Sequence, residues 1–243
     1  KKHFSPYILS FTGDGSSGAE DHVTTDFNPD DYDLNLGFTV SYWLRPDEVG
    51  NTMFAFGRKH SNNERFTFGI NRKRQVYIGI GSNTLTKSWV NMDTPVEESL
   101  LEEDGSYWNL KTDGTWYHMA VTYDDRSDTS SGADRKIYVN GVLRQTDNIN
   151  WSDTGGSPNK GMYFGTRNVG DNYNNGWACG LDEVAIYDTA KDSDWVTNTY
   201  NGGKPTDLQG QSGLVGYWKF NEGSGTTVKD RSGEGNHGTF AAI

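Results

Sequence analysis

The stretch Trp177-Ala-Cys-Gly-Leu-Asp-Glu-Val-Ala-Ile-Tyr-Asp188 decides how this chain is read. Apolar residues alternate through it as they do in a strand with one face against a core. Two acids, Asp182 and Glu183, stand in its middle. A core strand seldom carries a carboxylate, because burying an unpaired charge is costly. Either Asp182 faces water at a strand end, or a cation or dense hydrogen bonding satisfies it. Neighbours in a regular strand point to opposite faces, so Asp182 and Glu183 are expected on opposite sides of their sheet.

Working outward, the same period of two recurs. In Gly37-Phe-Thr-Val-Ser-Tyr-Trp-Leu-Arg-Pro46, Phe38, Val40, Tyr42 and Leu44 share one face, and Thr39, Ser41, Trp43 and Arg45 share the other. Arg65 to Ile70 and Gln75 to Ile80 read as a hairpin around a polar tip. Lys136 to Gln145 is a second hairpin, because Asn140-Gly141 suits a type I′ turn between twisted strands. Trp116 to Tyr123 reads as a central strand, with Trp43, Trp116 and Trp218 mid-strand in the core. A short helix is expected near residues 193 to 200, capped by Asp192 or Ser193 and stopped by Asn201-Gly202-Gly203. Leu214 to Phe220 is a late alternating strand. Residues 94 to 114, with five acids around Leu100-Leu101, read as an inserted loop holding a helical turn, and 124 to 134 as a polar loop. The expected fold class is all-β, an antiparallel sandwich with one short helix.

Composition narrows the partners. The chain has 243 residues, 30 of them glycine, and a net charge of −11. Such a surface repels nucleic-acid phosphates and suits calcium or neutral sugars. No apolar run approaches the ~20 residues that span a bilayer, so no membrane insertion is expected. Lys1-Lys2-His3-Phe4 is basic, but no long apolar segment follows, so no signal peptide is read; a trimmed protein would look the same. The single cysteine, Cys179, makes no internal disulfide and reads as small apolar packing.

Five segments now stand in order: Leu9-Ser-Phe-Thr-Gly-Asp-Gly15, Phe38 to Leu44, Trp116 to Tyr123, Ile137-Tyr-Val-Asn-Gly141 and Gly180 to Tyr187. Together they resemble laminin-G-like, concanavalin A-like jelly rolls, and most of all the pentraxin-related group. The resemblance implies a jelly-roll sandwich, and it does not imply a function, since this fold hosts lectins, adhesins, glycosidases and spacers. Gly213 to Gly225 and Asp230 to Gly238 resemble the segment that normally opens such a module, although here it comes last. It either completes the same sandwich, making residues 1–243 a single domain, or begins a truncated second module. The first is preferred, because so short a piece buries no core of its own.

The resemblance also implies one structural calcium, held by Asp182 with Gly13 and Asp14. For sugars, tryptophan and tyrosine faces stack on pyranose rings while amides bond the hydroxyls. The ligand edge is therefore expected at Asn172, Tyr173, Asn174 and Trp177, with Trp151 and Trp89 as further loop aromatics. His118 reads as a satisfied structural histidine. No Glu-x-Asp-x-x-Glu strand, serine elbow or phosphate loop is present, so no enzyme is expected. The reading is a non-catalytic, lectin-like adhesion module, extracellular, on a cell surface or on a virion. Its expected partner is carbohydrate or a glycosylated cell surface. The alternatives are a structural capsid, fibre or spacer domain that pairs with itself or with other structural proteins, and a polysaccharide hydrolase or lyase.

Overall fold

The structure is a computed structural model that describes residues 9–12, 21–47, 53–60, 64–70, 76–80, 87–89, 112–125, 133–149, 161–169, 172–174, 176 and 178–241. In chain order the strands begin β1 (Leu9–Ser10), β2 (His22–Thr25), β3 (Gly37–Pro46), β4 (Met53–His60), β5 (Glu64–Ile70) and β6 (Val76–Ile80). They continue as β7 (Lys87–Trp89), β8 (Tyr117–Asp124), β9 (Ala133–Val139), β10 (Val142–Ile149), β11 (Tyr163–Phe164) and β12 (Arg167–Val169). Last come β13 (Asn172–Asn174), β14 (Cys179–Tyr187), β15 (Leu214–Trp218), β16 (Thr227–Val228) and β17 (Gly238–Ala241), with helix α1 (Ser193–Tyr200) after β14.

These strands make two sheets. One runs β1-β14-β3-β8-β9-β10, with β15 also on β14. The other runs β16-β17-β2-β11-β4-β5-β6-β7, with β12 on β4 and β13 on β12. Pairing is antiparallel except where β12 lies parallel to β4. This is the all-β sandwich the alternation predicts.

The inner faces meet in one aromatic core. Phe38, Val40, Tyr42 and Leu44 are all buried there, on the face their spacing assigns. Tyr42 meets Phe56 edge-on at 4.9 Å, and Phe56 stacks on Phe68 at 4.8 Å. Ring pairs of this kind each add about 1 kcal/mol beyond their buried area. Trp43 and Trp218 are buried as expected, at 2% and 0% exposure, but Trp116 is half-buried and precedes β8. The β9–β10 turn has Asn140 at φ 51° and Gly141 at φ 79°, the backbone that Asn-Gly adopts in a type I′ turn.

The outer face of the seven-stranded sheet is also covered. Asp192 caps α1 by accepting from the Trp195 N–H at 2.7 Å, and Asn201 ends it in the left-handed region at φ 48°. The helix lays Tyr200 over Trp43 at 6.0 Å and Trp195 against Tyr187 at 5.1 Å. Val196 packs on Ala120 and Tyr138. Polar Thr39, Ser41 and Trp43 therefore face a second, smaller core rather than water. His118 lies beneath it, its Nε2 2.9 Å from the Ser41 hydroxyl, while its Nδ1 is buried without a partner. The expectation of a satisfied histidine holds for one ring nitrogen only. Burial lowers its pKa to about 3, so the ring is neutral.

The closing segment adds β15 to the first sheet and β16 and β17 to the second. It is knotted by one acid. The Asp230 carboxylate accepts from the backbone N–H groups of Tyr217, Ser232 and Asn236, each at 2.9 Å, and from the Ser232 hydroxyl at 2.8 Å. Asn236 in turn takes the Trp218 indole N–H on its carbonyl at 2.9 Å and gives its amide to Val215 O and the Tyr32 hydroxyl. Replacing Asp230 with Ala strands three backbone donors. We expect Asp230→Ala to lower stability by about 3 kcal/mol, read as a shift in the urea midpoint of Trp218 fluorescence; an unchanged midpoint would show that the knot is dispensable.

Candidate functional site

The acids quoted at the outset lie at a seam. β1 pairs with β14 at Gly180 and Leu181, and β15 pairs with the same edge from Val184 to Tyr187. Two strands from opposite ends of the chain thus share one edge of β14. Asp182 and Glu183 lie between these two described pairings.

The backbone there is irregular. Asp182 pairs with Trp43 and Ala185 with Ser41, so β14 holds one extra residue, and Glu183 adopts φ 50°. Such a bulge redirects side chains. The expectation of opposite faces is corrected here. Asp182 registers with Trp43 on the helix-covered face, and Glu183 reaches the Tyr217 hydroxyl, which belongs to the same outer layer. The period-two rule fails because a bulge inserts a residue into the count.

Asp182 is fully buried. Its Oδ1 accepts from the Glu183 N–H at 3.0 Å, but its Oδ2 has no hydrogen-bond partner. Burial, and then the neighbouring Glu183 charge, push its pKa up to about 8. Burial also raises the pKa of Glu183, while the Tyr217 hydroxyl and Lys219 hold it down. Tyr217 takes the Leu208 N–H on its oxygen while donating to Glu183, and its own ionisation is pushed well above the usual phenol range, mainly by burial. The Lys219 ammonium is 3.1 Å from Asp207 and 4.0 Å from Glu183. Tyr217 and Lys219 both come from the closing segment, so that segment engages Glu183.

A cation is one answer to an orphaned buried carboxylate oxygen. The donor chemistry fits, since Asp182 Oδ2 is a hard acceptor with nothing to accept. The other expected ligands, Gly13 and Asp14, lie outside the described residues. Among the described residues no three His, Cys, Asp or Glu side chains gather as a metal cluster. β1 itself runs away from Asp182 as it nears Thr12, for Phe11 donates its N–H to Cys179 O at 3.0 Å.

The expected sugar edge is only partly described. Asn172, Tyr173 and Asn174 form β13, whose Tyr173 pairs with Asn168. Trp89 ends β7 opposite Tyr77 at the far edge of the same sheet. β12, β4, β5 and β6 intervene, so the fold does not bring Trp89 to Tyr173. Trp151 and Trp177 lie outside the described residues, as does the inserted loop up to residue 111. No helix among the described residues is long and apolar enough to cross a membrane.

A laminin G family profile, described as the concanavalin A-like lectin/glucanases superfamily, matches residues 17–197. The chain belongs to that superfamily. No curated protein matches it. A Bacteroides ovatus protein provisionally assigned as carbohydrate binding superposes with a TM-score of 0.65 at 18% identity, covering 97% of this chain and 59% of that one. The receptor binding domain of botulinum neurotoxin C/D mosaic serotype gives 0.51 at 13% identity, over 84% of this chain and 44% of that one. The binding domain of botulinum neurotoxin DC, solved with rat synaptotagmin II, gives 0.51 at 17%, over 81% and 43%. Likeness at these identities reports the fold. This chain spans less than two thirds of each of these structures.

The acid pair has a measurable consequence. Asp182 keeps its proton in the fold up to about pH 8, whereas the unfolded chain loses it near pH ~4. Its contribution is therefore complete below that lower value and is lost as pH rises through the higher one. In calcium-free buffer, stability should fall between those limits, and Asp182→Asn should flatten the profile; equal slopes for both proteins would refute the assignment.

Proposed function

We propose that this chain is a non-catalytic recognition module that binds glycans on cell surfaces, working outside the cell or on a virion, with calcium in a structural role. The observation that carries the reading is the fate of the adjacent acids in a lectin/glucanase scaffold. Glycoside cleavage needs two carboxyl groups flanking an open cleft. Asp182 is instead fully buried, and Glu183 is engaged by Tyr217 and Lys219 of the sandwich itself. The Bacteroides ovatus relative, with its assignment to carbohydrate binding, supports the same reading. So does the acidic surface, which favours neutral sugars over anionic polymers.

In this reading, Asn172, Tyr173, Asn174 and Trp177 form the sugar edge with Trp151, and Trp89, at the far edge of the sheet, stands apart from it. Asp182, Gly13 and Asp14 hold Ca²⁺, joining the start of the chain to a late strand through oxygen donors. The ion would take the lone pair that Asp182 Oδ2 leaves unused. Screening the chain on a glycan array should show binding to at least one neutral glycan family; a blank array would remove the reading. Calcium should raise the melting temperature by mass action, and Asp182→Asn should abolish that rise. Equal rises in both proteins would move the ion elsewhere.

One observation favours the structural alternative. Val142 and Leu143, at the start of edge strand β10, are 51% and 43% exposed. Exposed apolar residues on a sheet edge suit contact with another protein chain. A blank glycan array together with self-association in sedimentation would select it.

A further inference from the structure

The geometry points to a neutral-sugar subsite at the open end of the seven-stranded sheet, built by Trp116, Arg45, Asp47 and Ser10 over Gly180. It rests on the glycan-binding reading above and names residues that the sequence placed elsewhere or left unassigned.

Register lines these groups up. Ser10 pairs with Gly180, and Gly180 with Arg45. Leu44 pairs with Tyr117, so Trp116 is next in line beside Arg45. Four neighbouring chain segments thus present a hydroxyl, a bare backbone, a guanidinium and an indole in one row. One row further in, Asp182, Trp43 and His118 occupy the same three strands, and Tyr200 of α1 packs on Trp43 and His118. The outer row stays half open: the Arg45 and Asp47 side chains are 22% and 35% exposed, and Trp116 is half-buried.

The groups are held rather than loose. Arg45 donates from Nε and Nη2 to the two Asp47 oxygens, both at 2.7 Å, and from Nη2 to the Ser10 hydroxyl at 3.2 Å. Its Cζ lies 5.5 Å from the Trp116 ring centroid. Gly180 makes the arrangement possible. A Cβ there would stand 3.1 Å from the Trp116 ring and 3.3 Å from Arg45 Cζ, so any side chain would force both to shift. Asp113 accepts from the Thr115 N–H at 3.1 Å and from its hydroxyl, bracing the approach to Trp116.

An indole with a fixed guanidinium–carboxylate pair beside it matches a hexopyranoside. The ring's C–H face packs on the indole, while vicinal hydroxyls take donors from Arg45 and give protons to Asp47. The ligand is neutral because Asp47 already balances Arg45, and the chain carries −11 overall. The site adjoins the start of β14, since Asp47 donates its N–H to Ala178 O at 3.0 Å.

The test titrates the intact chain with cello-, malto-, laminari- and mannotetraose, and with sialyllactose, while the indole N–H resonances are followed. A neutral tetrasaccharide should shift the Trp116 resonance, and Trp116→Ala should weaken its binding about tenfold or more. Trp116→Phe should keep part of the affinity, and Arg45→Lys should lose the bidentate pair and weaken it. Should Trp116→Ala fail to fold, the resonance shift and Trp116→Phe decide the matter. Binding that survives Trp116→Ala but is abolished by Tyr173→Ala overturns this subsite and leaves the glycan reading standing. Preference for sialyllactose overturns the neutral assignment. No binding of any sugar by the unaltered chain overturns both.

Discussion

The edge of β14 opposite β3 has to be closed, and strands from two distant parts of the chain close it. Among the described residues, β1 pairs with Gly180 and Leu181. The remaining backbone groups from Val184 to Tyr187 would face water beside a core containing Val184 and Ile186. Unpaired strand edges are both costly and prone to stray pairing. β15 meets that need, and it brings Trp218 into the aromatic core while β17 closes the other sheet on β2. The closing segment is therefore bound by two sheets at once, and the Asp230 knot holds its turns in the shape that allows this.

The seam between β1 and β15 explains the chemistry beside it. A bulge there carries Glu183 to the side already occupied by Asp182, and the closing segment meets it through Tyr217 and Lys219. Two acids on one buried face repel each other and lose water, so Asp182 is held protonated or offers itself to a cation. Tyr217 and Lys219 compensate Glu183 but leave Asp182 Oδ2 without a bond. The same layer that hides these acids ends one row short of Gly180. There the sheet shows a half-open indole and an ordered ion pair. Burial and display thus alternate along a single face.

Much of this was legible in the residues. Phe38 to Leu44 identified its core face because alternation in a strand reports burial directly. Asn140-Gly141 marked its turn and Asp192 its helix because caps and tight turns are local and chemically narrow. Asp182 was conspicuous as an acid in an apolar strand. Trp116 was harder to place, since alternation cannot show whether a strand's first residue lies under cover. The row it forms with Arg45 and Ser10 depends on the register of three pairings, which no local pattern carries.

By itself, then, the amino-acid order determined the strands, their faces, the short helix and the anomaly of Asp182, because these follow from periodicity and nearest-neighbour chemistry. Tertiary structure alone decided three things: which edge the last segment closes, that Asp182 and Glu183 share a face, and that Gly180 leaves room for Trp116 and Arg45. Each depends on residues far apart in the chain meeting at a register set by the packing of the whole sandwich.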